Sequence, residues 1–449
     1  MLKLRRILLV CIIASLCLVI TAIAQNAPAA GGQAGQGGAA GAAGRGAAAG
    51  VGGRGMRGRG GAAAIRSPEI LSDNRVTFRI SAPQATSVSV NGDWGGAGGG
   101  TAMTKNPNGL WSITVGPLKS ELYGYTFNID GAQVWDPANN QLKRDGRRIT
   151  SVLIIPGEKG DLYSIKDVPH GTIAKVWYDS PTLNLKRRMY VYTPPGYEGG
   201  TEKYPVLYLL HGGGGDEDAW TSLGRTPQIL DNLIAAGKAK QMIVVMTNGN
   251  ANQTAAPDSV PAGASQARGE MGAAAGATRG ATAARGAARG GGRSSGGAFP
   301  ESIVKDVIPF IEKSYRVLTE KQNRAVAGLS MGGGHTISVS TSYPTMFDYI
   351  GVMSMGSNAE EQFTKLRAEN PKLFWVGCGE SDRFVTRARP LAEILKKQGF
   401  NYIYYENPGG HTWINWRIYL SQLVPLLFKT DVPTITTAPL APAPAGFDV

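Results

Sequence analysis

The sequence predicts an α/β fold, a mostly parallel sheet covered by helices on both faces, preceded by a small all-β module. Three observations carry this. Between Gly171 and about residue 430, near-continuous apolar runs alternate with amphipathic stretches, the pattern of a sheet buried on both sides. From Ser67 to residue 158, short runs alternate with period two between turn residues, which fits a small β-sandwich. Finally, Gly328-Leu329-Ser330-Met331-Gly332 joins an apolar run to a helical stretch through a G-x-S-x-G turn.

The chain begins with a segment to be set aside before fold reasoning. Lys3, Arg5 and Arg6 form a basic start, Ile7 to Ile20 an apolar stretch too short for a membrane span, and Ala22-Ile23-Ala24 a small-residue cleavage site. Residues 1–24 therefore read as a signal peptide, with an exported product, periplasmic or secreted, that keeps no stable membrane span. Cys11 and Cys17 fall within that signal, leaving Cys378 as the one remaining thiol, so packed cores and not an internal disulfide must supply stability. Cys378 itself reads as a buried small hydrophobe near a strand end.

The formal charge of +13 suggests nucleic acid or anionic lipid, but its placement argues otherwise. The signal carries +3, residues 25–66 carry +5 and residues 251–298 carry +3, leaving only +2 for the rest. Basicity thus belongs to low-complexity segments. Residues 25–66, nearly all Ala, Gly, Gln and Arg, have nothing to bury and read as a disordered leader. Their Arg-Gly repeats lack the interleaved aromatics of a nucleic-acid binder, and no nucleic-acid partner is expected. Residues 251–298 read as a low-complexity insert that follows a strand end and so emerges near the carboxyl edge of the sheet, and residues 431–449 as a Pro/Ala-rich tail.

Within 67–158 the strands read as Val76–Ile80, Ser87–Val90, Trp111–Val115 and Tyr123–Ile129. Ala82-Pro83, Gly92-Asp93-Trp94, Gly109-Leu110-Trp111, Asp130-Gly131 and Asp136-Pro137 resemble the early-set, glycogen-binding type of immunoglobulin-like module. That resemblance implies a domain that binds glycans or packs against an enzyme. Trp94, Trp111 and Trp135 are the residues that could stack on sugar rings or fill the sandwich. In the second domain, 171–430, strands read as Arg188–Tyr192, Val206–Leu210, Met242–Met246, Ala325–Ala327, Tyr349–Met353, Leu373–Val376 and Tyr402–Tyr405. Helices read as Gly332–Ser340, Ile303–Ser314, Arg387–Lys397 and Trp413–Leu427.

The G-x-S-x-G turn pushes a serine hydroxyl into a cleft, and a hydroxyl becomes a nucleophile only when an imidazole takes its proton and a carboxylate orients that imidazole. Ser330 is the candidate nucleophile. Four histidines are available. His170 lies in the linker, His211 ends a strand before a glycine run, His335 follows Ser330 on its helix, and His411 sits directly after the last strand. His411 is the one that can reach over the sheet edge to Ser330. The acid should follow the preceding strand, where Asp382 is favoured over Glu380. One oxyanion donor should be the N–H of Met331 and the other that of Gly213 or Gly214. Trp220 either lines the substrate pocket or packs in the core. Asp216, Glu217 and Asp218 either touch sugar hydroxyls or form a solvated loop.

The order Ser330, Asp382, His411 is that of α/β-hydrolases. Arg188–Tyr197, Leu210–Trp220, Gly328–Gly333 and Gly410–Trp413 resemble the Putative esterase family, which includes feruloyl and acetyl-xylan esterases, formylglutathione hydrolase and mycolyltransferases. The resemblance implies an α/β-hydrolase fold and ester hydrolysis through an acyl-serine intermediate, with no metal or other cofactor. It points to feruloyl or acetyl esters on plant polysaccharide. A siderophore-type lactone esterase and an acyltransferase are the enzymatic alternatives, and a glycan-binding envelope protein is the alternative from another class.

Overall fold

The computed structural model describes residues 64–95, 100–256 and 295–429. The signal peptide, most of the leader, the tail and the middle of the 251–298 insert lie outside these residues.

Two antiparallel sheets form the N-terminal module. One orders Glu69–Ile70, Val76–Ser81, Leu110–Val115 and Thr104–Lys105; the other orders Thr101–Ala102, Val88–Gly92, Glu121–Ile129, Arg148–Ile155 and Leu142–Asp145. Val76, Phe78, Ile80 and Trp111 from the first meet Val88, Val90, Tyr125, Phe127, Leu153 and Ile155 from the second in one core. Because side chains alternate along a strand, the second sheet has another face to cover. Its Leu122 and Val152 join the core of the following domain together with Tyr163, from the short helix Gly160–Tyr163. The second sheet is therefore buried on both faces along its strands Glu121–Ile129 and Arg148–Ile155.

Polar contacts fasten the same junction. Arg417 donates through Nη2 to Glu121 Oε1 at 2.9 Å and through Nη1 to Leu223 O at 2.9 Å. The Tyr163 hydroxyl donates to the same Glu121 carboxylate. Asn232 Nδ2 donates to Leu162 O and Ser164 O, and Arg225 Nε to Tyr163 O.

The main sheet has eight strands: β1 (Thr172–Ser180), β2 (Leu185–Thr193), β3 (Val206–Leu210), β4 (Ile243–Thr247), β5 (Arg324–Leu329), β6 (Tyr349–Met353), β7 (Leu373–Gly379) and β8 (Tyr402–Asn407). Their order is β1-β2-β4-β3-β5-β6-β7-β8. The first two strands pair antiparallel with their neighbours; all pairings from β4 to β8 are parallel. The helices that matter are α1 (Thr226–Ala235), α2 (Ile308–Ser314), α3 (Met331–Ser342), α4 (Val385–Lys397) and α5 (Trp413–Leu423). Alternate residues of β3 divide the core: Val206, Tyr208 and Leu210 pack with α2, α3 and α4, while Leu207 and Leu209 pack with α1 and α5. This is the two-sided burial that the continuous apolar strands require.

Besides four strands of two or three residues in the N-terminal module, Glu69–Ile70, Thr101–Ala102, Thr104–Lys105 and Ala132–Val134, the structure adds three longer ones to the sequence reading. Edge strand β1 is half exposed, with Trp177 and Lys175 among its residues, and so lacks an apolar run. Leu142–Asp145 and Arg148–Ile155 form a hairpin with the charged residues 143–145 on its first arm. The stretch read as one helix over 303–314 is a π-helical turn at Ile303–Val307 followed by α2, with Pro309 at the start of the latter.

Candidate active site

Ser330 sits between β5 and α3 with φ 53° and ψ −115°, a backbone state that non-glycine residues rarely adopt and that marks functional turns. Its N–H donates to Met353 O at 2.9 Å, which ties the turn to β6. The flanking glycines have specific steric reasons. A Cβ on Gly328 would lie 2.4 Å from Gly332 O, and one on Gly332 would lie 2.5 Å from Leu210 O. Backbone crosses backbone here, and neither neighbour can rotate away.

Parallel pairing brings the carboxyl ends of β5, β7 and β8 to one edge. Asp382 follows β7 and His411 follows β8. His411 Nδ1 lies 3.0 and 3.1 Å from the two Asp382 carboxylate oxygens, and His411 Nε2 lies 3.0 Å from Ser330 Oγ. With the carboxylate on Nδ1, that nitrogen carries the proton and Nε2 is left to accept from the serine. Glu380 is exposed, whereas Asp382 is buried and is the carboxylate in this chain of contacts. Burial pushes the Asp382 carboxyl up, but hydrogen bonds from His411, from the Phe384 N–H and from Ser354 outweigh it and hold the group below its ordinary value.

Several residues around this trio carried no signal in the sequence. Ser354, fully buried and at φ 50°, accepts from the Trp416 indole at 2.8 Å and bonds to Asp382. The imidazole of His411 is held between the Trp416 ring, edge-on at 4.9 Å, and the Phe384 ring at 5.3 Å. A pattern of serine at a strand end followed by a distant tryptophan is too common to single these out.

Met331, the first residue of α3, has one of the orphan N–H groups of a helix start, beside the Ser330 hydroxyl. The run Gly212–Gly215 passes close by, since a Cβ on Gly212 would lie 3.3 Å from Ser330 Cβ. Close approach thus falls on Gly212. A Cβ on Gly213 would meet no protein atom within 4 Å, and Gly214 has φ 80°. His211 is buried beneath the run, accepting the Gly249 N–H at Nε2, and burial lowers its basicity. His335 packs on Phe299, with burial pushing its imidazole down to about 4. His170 pairs with Asp231 away from the site.

Trp220 is not brought to an open pocket wall. It is 1 % exposed, donates to Leu210 O and stands edge-on to Trp413, beneath the glycine run. The acidic run is not a solvated loop either. Glu217 is buried against Arg188, Asn248 and the Ala256 N–H, and Asp216 and Asp218 bind Arg144. In the N-terminal module, Trp94 stacks on Phe78 and Trp111 is buried with its indole on Ala82 O, leaving Trp135 as the exposed member of the three. Cys378 is fully buried. Among the described residues, no group of His, Cys, Asp and Glu is arranged to hold a metal, and no helix is long and apolar enough to cross a membrane.

The molecule has relatives on two levels. An endo-1,4-β-xylanase/feruloyl esterase of Xylanibacter ruminicola is 33% identical over 369 residues, covering 81% of this chain and 46% of that protein. An acetyl esterase of Caldicellulosiruptor saccharolyticus is 24% identical over 175 residues, covering 30% of this chain and 65% of that one. The chain thus spans only part of the length of the curated relatives it matches. Among solved structures, the enterobactin esterase of Shigella flexneri shares the fold, with a TM-score of 0.51 at 15% identity, over 78% of this chain and 92% of that one. The sequence profile of the family described as "Putative esterase" matches residues 180–427, more than half of the chain. With the serine turn, the parallel sheet and this match together, the chain belongs to the Putative esterase family.

Proposed function

We propose that this protein is an exported serine esterase that removes feruloyl or acetyl decorations from plant polysaccharide. The observation that carries the reading is the hydrogen-bonded chain from Asp382 through His411 to Ser330 at a strained serine turn. The similarity to a xylanase/feruloyl esterase supports the substrate class. In the proposed reaction, Ser330 Oγ attacks the ester carbonyl as His411 Nε2 takes its proton. The carbonyl oxygen becomes an oxyanion facing the N–H groups of Met331 and of Gly213 or Gly214. The imidazolium, stabilised by Asp382, then protonates the leaving alkoxide, which departs as the alcohol. Water repeats the sequence on the acyl-serine, releasing the acid and restoring Ser330.

The signal-like start supports export, and the N-terminal sandwich, read as an immunoglobulin-like early-set module, offers Trp135 as a platform for a sugar ring. The test is hydrolysis of methyl ferulate, an aryl acetate, acetylated xylan and a catecholate trilactone by wild type and Ser330→Ala. Turnover on the first three that falls by at least ~10³-fold in the variant is expected. Undiminished turnover would remove Ser330 from its role, and turnover confined to the trilactone would replace polysaccharide with a siderophore as substrate. Retention of full-length Ser330→Ala on insoluble xylan, lost on adding Trp135→Ala, is the outcome expected for the sandwich.

A further inference from the structure

The glycine run Gly212–Gly215 has no side chain with which to anchor itself, and glycine backbone is the most permissive there is. Its position is set by what holds its two ends. At the start, His211 is buried and fixed through the Gly249 N–H. At the end stands Asp216, whose carbonyl accepts the Ala219 N–H and whose Oδ1 accepts the Asp218 N–H at 3.0 Å. Within the run there is one turn bond, from Gly215 N to Gly212 O at 3.2 Å, and Asn250 Nδ2 donates to Gly215 O.

What holds Asp216 comes from the other domain. Arg144, on the sandwich strand Leu142–Asp145, donates through Nη1 to Asp216 Oδ2 at 2.8 Å and through Nη2 to Oδ1 at 2.6 Å, a bidentate fork. Its Nε reaches Asp218 Oδ2 at 3.1 Å. The same guanidinium holds its own turn by donating to Gly146 O at 2.9 Å, and the Arg144 N–H donates to Ser222 Oγ at 2.7 Å. The turn lies beside the run, close enough that a Cβ added at Gly146 would come 3.9 Å from Gly214 O. Asp216 is 6 % exposed, so this is a mostly buried charge pair. Without the cation, two carboxylates two residues apart would face each other at the end of a loop held otherwise by His211, by Asn250 and by one turn bond.

We infer that Arg144 is a positioning residue for the oxyanion loop, so that the N-terminal sandwich is a working part of the active site and not only a neighbouring module. The inference rests on the esterase reading. It acts through Asp216 on the Gly213 or Gly214 N–H, a donor used when charge develops on the substrate oxygen, and so bears on the transition state more than on substrate binding.

The experiment compares wild type, Arg144→Ala, Arg144→Lys, Asp216→Asn, the double variant Arg144→Ala/Asp216→Asn, Asn232→Ala and Ser330→Ala in the full-length chain on the best substrate of the panel. Displacing a donor by about 1 Å costs up to ~10²-fold, so kcat of Arg144→Ala should fall by about 10–100-fold with KM changed less than about 3-fold. A trifluoromethyl ketone, whose serine adduct places an oxyanion in the same position, should lose affinity by the factor lost in kcat/KM. Arg144→Lys, which keeps the charge but not the fork, should fall between, and the double variant should be no worse than either single one. Asn232→Ala loosens the domain junction at Leu162 and Ser164 without touching the loop, and should keep kcat. A kcat of Arg144→Ala within 3-fold of wild type would overturn the inference, as would an equal loss in Asn232→Ala, which would make the effect one of general docking. Turnover persisting in Ser330→Ala would instead overturn the esterase reading beneath it.

Discussion

Glu121 and Arg417 lie 296 residues apart and meet at the junction between sandwich and main sheet, with side chains 6 % and 3 % exposed. Glu121→Ala would leave Arg417 buried with Leu223 O as its remaining acceptor and its ring contact on Tyr163 at 4.8 Å. Removing one member of a buried ion pair costs ~3–5 kcal/mol, because the other charge stays desolvated. For a folded unit of roughly 320 residues, an unfolding entropy of about 2.1 cal/mol/K per residue gives ~0.7 kcal/mol/K. The expected fall in Tm is therefore about 4–7 °C, read by scanning calorimetry. The pair is not ideally satisfied: Glu121 Oε2 and Arg417 Nε have no hydrogen-bond partner among the described residues. Replacing both, as in Glu121→Leu/Arg417→Met, should accordingly recover most of the loss, since an apolar substitute escapes the desolvation cost. A single-variant shift below 1 °C would refute the reasoning and place this junction in effective contact with water. A double variant as unstable as the single would show that the Tyr163 and Leu122 packing depends on the charges.

Three further outcomes are expected. Gly332→Ala should lose about 1–3 kcal/mol or more and most activity, since its Cβ would sit 2.5 Å from Leu210 O and 2.6 Å from His211 O, whereas Gly213→Ala, with open space around its Cβ, should leave Tm unchanged. Because Asp382 is held below its ordinary pKa, its ionised form adds stability that is complete above the unfolded-chain value of about 3.9 and is lost as pH falls through the lower native value; urea midpoints should drop below about pH 4, less steeply in Asp382→Asn. Cys378, fully buried and with its thiol pushed up to about 12, should resist a disulfide reagent in the native protein and react once unfolded; rapid native labelling would contradict the packing.

Most of the core strands were legible because both faces of the sheet are buried, and burial on both faces leaves an uninterrupted apolar run, as in Val206–Leu210 and Tyr349–Met353. Edge strand β1 and Leu142–Asp145 were not, because their residues are partly exposed or charged, whereas Arg148–Ile155 does carry a buried apolar run at Val152–Ile155 that the sequence reading leaves out. Trp220 and the acidic run after His211 show the same limit from the other side. An indole fits a pocket wall and a core equally well in one dimension, and a carboxylate read as solvated can be buried once a distant arginine meets it.

The sequence by itself determined the serine turn, the order of serine, acid and histidine, and the strand ends that carry them. These are local demands: a glycine where backbone crosses backbone, and a polar residue directly after an apolar run. Only the tertiary structure decided that Ser354 and Trp416 hold Asp382 and His411, and that Arg144 of the sandwich grips Asp216 beside the glycine run, 72 residues along the chain. Such pairings have no local period. They arise when two faces are brought together by packing, and a charge reveals its partner only where the fold excludes the water that would otherwise have taken that place.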